Sequence, residues 1–408
     1  MSQSSDASRR SSANSNPSQP GFFGWFDRRI VPPMRTFGEL PPMVAIREAL
    51  PWSLIGLAAG VLLFFFAANG RLAGASFANR YAAALLPGFG LMSYTLAALY
   101  PYRLAQRLGL SVAPVVAAGF VAFVLARPAA PFHDLETYLR AIGATGLFVA
   151  IVAGLLTAAA CGWFKRAFPN GIWGEAAGSF CIIALALAVF NFHLSLASAV
   201  TAALHPLGSL GDTYLALILI VSVQTLLWTA GVHGPATLAG VVTPVYLFLQ
   251  QQNTAAYTGH EPLPHIVVVS FFLFVFPGGA GATLPLAIFL SFSRVARLRK
   301  IARATILPSF FNINEPLIFG LPLVLNPFLA LPFVLAPCVL ATITYLCMRF
   351  GTVARPAFYY PSSIPTLLST YLATLDWRAV ILVLVNLAVA GAIYLPFVRA
   401  YERHEARA

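Results

Sequence analysis

The chain has 408 residues, of which 59% are hydrophobic and 9% charged. Soluble domains carry about 25% charged residues, so a water-soluble fold that hides this much apolar surface is excluded. The net charge of +12 would suit nucleic acid, but the basic residues fall in short segments between apolar bands rather than along one face, which points to membrane topology and to no nucleic-acid partner.

Residues 1–20 are rich in Ser, Asn and Pro with no apolar stretch of signal-peptide type, and are expected to form a disordered cytoplasmic tail. Gly21–Ile30 (GFFGWFDRRI) mixes aromatics with charge, as a short interfacial helix would, and Val31-Pro32-Pro33 ends it. Apolar bands then recur at 51–68, 82–102, 111–126, 143–163, 177–199, 213–232, 236–250, 266–292, 304–329, 328–348 and 379–399. Most approach the roughly 20 residues that cross a bilayer as helix, and none alternates as the strands of a β-barrel do.

Arg9, Arg10, Arg28, Arg29, Arg35 and Arg47 precede the first span, and Arg399 and Arg403 follow the last. The positive-inside rule therefore predicts both termini in the cytoplasm, with Lys165/Arg166 and the run Arg294–Arg303 on the same side. Arg71, Arg80 and Arg127 fall on the other side and run against this bias. The segment Ser195–Tyr214, with small residues, His205 and Pro206, reads as a linker with an amphipathic stretch. Cys161, Cys181, Cys338 and Cys347 sit in apolar runs without paired spacing, so each reads as a small buried hydrophobe; no metal site and no cofactor is expected.

No lysine or arginine occurs between Arg166 and Arg294, so the few polar groups there stand out. Two segments break the helical pattern at membrane depth: Pro277–Thr283 (PGGAGAT) and Pro308–Pro316 (PSFFNINEP). Lipid cannot satisfy open backbone, so both are predicted to face one protein-lined cavity, the usual construction of a transporter's binding site. Glu315 is the only charged residue between Arg303 and Arg349. An ionisable group there costs roughly 2.5–3.5 kcal/mol on insertion, which makes it a functional candidate. Asn312, Asn314 and Glu315 together offer two amides and a carboxyl, enough to bond several sugar hydroxyls and to accept a proton from one. His233, in Gly231-Val232-His233-Gly234, interrupts another apolar run, where a lone histidine commonly serves packing; the residues alone leave packing and ligand binding both open.

The segments TLLWTAGVHG (225–234), PLPHI (262–266), GGAGATL (278–284), NINEPLIFGLPLVLNPFLALPFVLAP (312–337) and LATLDWR (372–378) resemble, in order and spacing, the lactose/cellobiose family of enzyme IIC, which includes the N,N'-diacetylchitobiose type. VPPM (31–34) and GLFVAI (146–151) extend the resemblance more weakly into the N-terminal half. It implies an all-α integral protein of the bacterial cytoplasmic (inner) membrane, with about ten transmembrane helices, re-entrant hairpins and amphipathic helices. It further implies a homodimer in contact with membrane lipid, paired through a scaffold half at 21–199, with a moving transport half at 200–408 that bears the sugar site. Carried over by motif, His233 and Glu315 would contact the sugar, and Trp228, Gly278, Gly279, Asn312 and Asn314 would line the site. The phosphoryl group would come from a phosphocysteine on an enzyme IIB domain; none is recognisable in the sequence, so a separate soluble IIB protein is the expected partner. Glu315 would take the proton of the attacking hydroxyl. The run Arg294–Arg303 is then either the docking surface for that partner or a topology signal.

Two departures stand out. Tyr360-Pro361-Ser362-Ser363-Ile364-Pro365 replaces the Pro-Trp-Thr-Thr-Pro stretch usual in the family, so an aromatic platform is expected to be missing unless Tyr359 or Tyr360 supplies it. Ala280 and Pro285 also stand where Ser and Gly are expected. A carrier of the same fold that moves sugar or another small molecule without phosphorylating it is therefore the alternative, with a ligand sensor behind both.

Overall fold

A computed structural model describes Trp25 and residues 28–67, 74–126, 134–169, 171–321, 323, 326 and 328–407. The expected tail, most of Gly21–Ile30, Arg71 and Arg127 lie outside the described residues. Among the described residues every regular element is helical. Among these residues six helices are long and apolar enough to cross a membrane, and a seventh if one bent pair counts as a single span.

After the short α1 (Val31–Gly38), α2 (Pro41–Ala67) and α3 (Phe77–Leu108) form a helical hairpin. Their contact is close because it is made of small residues: a Cβ on Gly60 would lie 2.8 Å from Gly88 Cα. Phe89, Met92, Leu96, Tyr100 and Leu104 recur every three or four positions on α3 and are fully buried. At 32 residues, α3 is longer than the ~30 Å hydrocarbon core requires. Its last turn carries Arg107, which pairs with Glu48 at the start of α2.

The helices α4 (Val112–Leu125), α5 (Leu135–Ile142), α6 (Thr145–Ala167) and α7 (Trp173–Asn191) complete the N-terminal half. The 14 residues of α4 are short for a span. Glu175, 2% exposed, receives Lys165 at 2.8 Å and the Ser111 N–H at 3.1 Å, tying three helix ends together. Cys161 is buried, but Cys181 lies on the exposed face of α7, contrary to the expectation of burial for every cysteine.

The expected linker at Ser195–Tyr214 is instead a 16-residue helix, α8 (Leu196–Gly211). Ser195 caps it by accepting from Ser198 N–H at 3.1 Å, and its alanines favour helix strongly enough to carry Pro206 inside it. An 81° bend at Asp212–Thr213 leads into α9 (Tyr214–Thr229). Next come α10 (Gly234–Thr258), which packs on both α2 and α3, and the one-turn α11 (Phe272–Val275). The C-terminal part holds α12 (Leu284–Ser291), α13 (Ala296–Phe310), α14 (Glu315–Gly320), α15 (Ala330–Arg349), α16 (Thr366–Thr374) and α17 (Trp377–Glu405).

The two predicted breaks are present. The chain leaves helix from Phe276 to Thr283 and again from Phe311 to Asn314, splitting two apolar bands that a continuous helix would have filled. Pro308 and Phe310 remain helical, so the second break is shorter than its motif.

The interior divides into two main apolar clusters. The larger joins the N-terminal spans to α8–α10 and to parts of α15 and α17, crossing position 200 without interruption. The smaller unites Trp228 with α12–α14 and the rest of α15 and α17.

Between α15 and α16 the chain runs without helix through Pro356–Tyr360, and its carbonyls find partners on neighbouring elements. Asn253 Nδ2 donates to Pro356 O at 2.9 Å, Thr254 Oγ1 to Ala357 O at 2.7 Å, Ser270 Oγ to Phe358 O at 2.9 Å and Tyr81 Oη to Tyr359 O at 2.8 Å. Non-helical backbone inside a membrane protein requires such partners. Two motifs that carried the family resemblance are parts of this framework. His265 of PLPHI bonds Asp212 at 3.1 Å, and Asp376 of LATLDWR caps α17 through Arg378 N–H at 3.0 Å while accepting from Ala354 N–H at 2.9 Å.

Candidate functional site

The turn between α9 and α10 carries the first part of the site. Gly231 takes φ +78° to reverse the chain, and His233 becomes the N-cap of α10, its Nδ1 accepting from Ala236 N–H at 3.1 Å. In the neutral ring the hydrogen must then sit on Nε2, which is left free to donate. Trp228 backs this imidazole, with ring centroids 4.4 Å apart. Since Trp228 is only 3% exposed, it supports His233 more than it offers a face to a ligand.

The two breaks supply the rest. Asn312 stands at φ +62°, a left-handed conformation that asparagine tolerates. Its Oδ1 accepts from Gly278 N–H at 2.8 Å and from Thr366 Oγ1 at 2.9 Å, while Nδ2 donates to the carbonyls of Ser362 at 2.7 Å and Ile364 at 3.2 Å. Asn314, buried, donates to Ala280 O at 2.6 Å and Thr283 Oγ1 at 2.8 Å. These amides, expected to face the ligand, are largely engaged in holding the two breaks and the 359–365 segment together. Glu315, the first residue of α14, turns its carboxylate toward His233. Oε1 lies 3.9 Å from His233 Nε2, and both side chains are nearly half exposed. That gap is too long for a direct bond and short enough for one hydroxyl to reach both.

The breaks, α9 and the start of α10 enclose a cavity of about 370 Å³, within the ~300–1,000 Å³ range of small-molecule sites. Of the residues expected at a site, Trp228, His233, Gly279, Asn312, Asn314 and Glu315 line it. Gly278 does not: its N–H is bound to Asn312 and its carbonyl accepts from Thr283 Oγ1 at 2.8 Å, behind the wall. Ser362 is on the wall where an aromatic was expected, and Tyr359 and Tyr360 stand there with it, Tyr360 stacked on Tyr81 at 5.0 Å. Gln224, Thr243 and Tyr246 also line the cavity and were not singled out from the sequence. A second cavity of about 620 Å³, between α4, α6 and α8, carries no carboxyl or amide side chain among the described residues of its wall.

Gly279 is required at its position. It has φ +90°, and a Cβ would lie 2.5 Å from Asn314 Cγ and 2.9 Å from Asn312 O. Gly279→Ala is expected to cost about 1–3 kcal/mol in backbone strain, lowering the thermal unfolding midpoint and pushing Asn314 off Ala280.

The family model described as "Phosphotransferase system, EIIC" matches residues 36–337. The chain belongs to this family. The EIIC protein is 32% identical over 352 residues to the putative permease IIC component YwbA of Bacillus subtilis, covering 78% of this chain and 79% of that protein. It is 30% identical to the cellobiose-specific EIIC component of Geobacillus stearothermophilus, over 78% of each chain. A lactose-specific EIICB component of Lacticaseibacillus casei is 32% identical over 206 residues, 49% of this chain and 35% of that one. Its fold matches the crystal structure of the transporter ChbC, the IIC component of an N,N'-diacetylchitobiose-specific phosphotransferase system. The TM-score is 0.81 at 25% identity, covering 94% of this chain and 98% of that one. It is accordingly a multi-pass membrane protein and a sugar permease of a phosphotransferase system.

Proposed function

We propose that this EIIC protein carries a β-linked disaccharide, or a smaller saccharide, through the cavity and presents it to a phosphorylated IIB protein, with Glu315 as general base and His233 holding the sugar. The observation that carries the reading is the placement of the Glu315 carboxylate and the His233 Nε2 3.9 Å apart on the cavity wall, where the amides of Asn312 and Asn314 are engaged by the protein. In the reaction the sugar hydroxyl attacks phosphorus, its proton passes to Glu315, and the bond from phosphorus to the donor thiolate breaks. The permease supplies position and the base; the donor supplies the phosphoryl group. Support for a IIB partner comes from the relative whose name couples EIIC with B.

The same reading puts the protein in the bacterial inner membrane as a homodimer paired through residues 21–199, with both termini cytoplasmic. The pairings Arg107–Glu48 and Lys165–Glu175 favour this topology, because each gathers basic helix ends onto one side. Lipid contact suits the bare apolar face of α7, where Phe180 is 75% exposed. The smaller apolar cluster, which includes Trp228 and α12–α15, is a natural moving unit for the transport half.

The test is reconstitution in liposomes with labelled cellobiose, lactose and diacetylchitobiose, with and without phospho-IIB proteins. Sugar phosphate formed only with the donor supports the proposal. Uptake of unmodified sugar that ignores the donor favours the non-phosphorylating carrier. Within the site, His233→Ala removes both the Nε2 donor and the helix cap, so sugar affinity should fall about 10-fold and stability by about 1 kcal/mol. His233→Asn can restore the cap without the reach, and should recover stability but not affinity in calorimetric titration. Wild-type affinity in either variant would return His233 to a packing role.

A further inference from the structure

Of the three side-chain amides described on the cavity wall, two are taken up by the protein itself. Asn312 has four partners, Asn314 donates to two, and the Tyr246 hydroxyl donates to Gly211 O at 3.0 Å. Gln224 differs. It is half-buried on the wall, and among the described residues its side-chain amide makes no hydrogen bond with the protein. It also interrupts the apolar helix α9 (YLALILIVSVQTLLWT), where serine and threonine hydroxyls can bond back to their own helix and a longer amide does not. Thr225 does this, donating to Val221 O at 2.8 Å.

Position argues in the same direction. Gly234, the residue after His233, packs on the backbone of Gln224 so closely that a Cβ there would lie 2.7 Å from the Gln224 carbonyl carbon. Gln224 is also one helical turn before Trp228, the ring that backs His233. The amide therefore belongs to the same wall as the His233–Glu315 pair. It offers a donor and an acceptor side by side, which match two neighbouring hydroxyls of a pyranose better than one.

We infer that Gln224 is a specificity-determining residue of the sugar site, bonding ring hydroxyls beside those held by His233 and Glu315 and thereby discriminating between epimers. This rests on the proposed sugar site. Inverting one hydroxyl carries it away from the amide, and a buried polar group left without its partner is what gives a site selectivity.

The experiment is equilibrium binding of cellobiose and lactose, which differ in one hydroxyl configuration, to the full-length protein in detergent, together with phosphorylation by phospho-IIB. Gln224→Met keeps the reach of the side chain and removes its polarity. It should weaken the preferred disaccharide about 3–10-fold and leave the disfavoured epimer nearly unchanged, so the preference collapses. Phosphorylation of the two sugars at limiting concentration should lose its preference in the same ratio. Equal weakening of both epimers, or wild-type affinity for both, overturns the inference. If Gln224→Met does not assemble, Gln224→Asn, which withdraws the same amide by one methylene, is judged by the same two ratios. Wild-type protein that binds neither saccharide overturns the proposed sugar site itself, a result distinct from wild-type binding with an unaltered Gln224→Met.

Discussion

Glu315→Gln should bind sugar within about tenfold of wild type and form sugar phosphate on the order of 10²–10⁴ times more slowly with a competent phospho-IIB donor. The substitution keeps the shape of the side chain and its hydrogen-bonding capacity, and removes only the ability to take a proton. Nothing else described on the cavity wall can replace it: Glu315 is the sole carboxylate there, and the neighbouring amides of Asn312 and Asn314 are held by Ser362 O and Ala280 O. His233 lies 3.9 Å away and could accept a proton on Nε2 only after giving up the hydrogen that its cap of α10 assigns to that atom. Single-turnover phosphorylation and equilibrium binding on the same preparation separate the two effects. Normal turnover by Glu315→Gln removes the general-base assignment; lost binding with residual turnover makes the carboxylate a binding group instead.

The second large effect is expected at Asn312. Its one side chain joins the first break through Gly278, the second break in which it stands, the 359–365 segment through Ser362 and Ile364, and the start of α16 through Thr366. Asn312→Leu leaves those partners unsatisfied and sets a branched residue at φ +62°, at a cost of about 2–4 kcal/mol. Asn312→Asp is the sharper variant, because it keeps the acceptors for Gly278 and Thr366 but turns two carbonyls toward a carboxylate. Both should lower the unfolding midpoint and abolish measurable sugar binding. Hydrogen exchange should rise at Gly278–Thr283 and at 359–365 together. Exchange that rises in one segment alone would show that Asn312 does not couple them.

The roles of Asn312 and Asn314 mark the boundary of what the sequence could reveal. The breaks were legible because proline and glycine cannot continue an apolar helix, and lipid tolerates no open backbone. Glu315 was legible because a lone charge in an apolar band has few structural explanations. An amide beside them reads locally as a sugar ligand, but the broken backbone makes a prior claim on it, from Ser362 and Ile364, some 50 positions away. Gln224 posed the opposite problem: it lies in a regular helix, and only its lack of a protein partner and its place on the cavity wall distinguish it. The helix α8 was missed because Pro206 and small residues suggested a linker, whereas the Ser195 cap and the bend at Asp212 make it a helix. The expected aromatic platform depended on one tryptophan in the motif; Tyr359 and Tyr360 reach the same wall from the residues just before it.

The most direct measurement is an experimental structure of the protein with a bound β-linked disaccharide. The account predicts a pyranose ring in the cavity between α9, the start of α10 and the two breaks, one hydroxyl within hydrogen-bond reach of both Glu315 Oε1 and His233 Nε2. A saccharide bound in the larger cavity between α4, α6 and α8, or held in the first cavity with Glu315 and His233 making no contact to it, would contradict it.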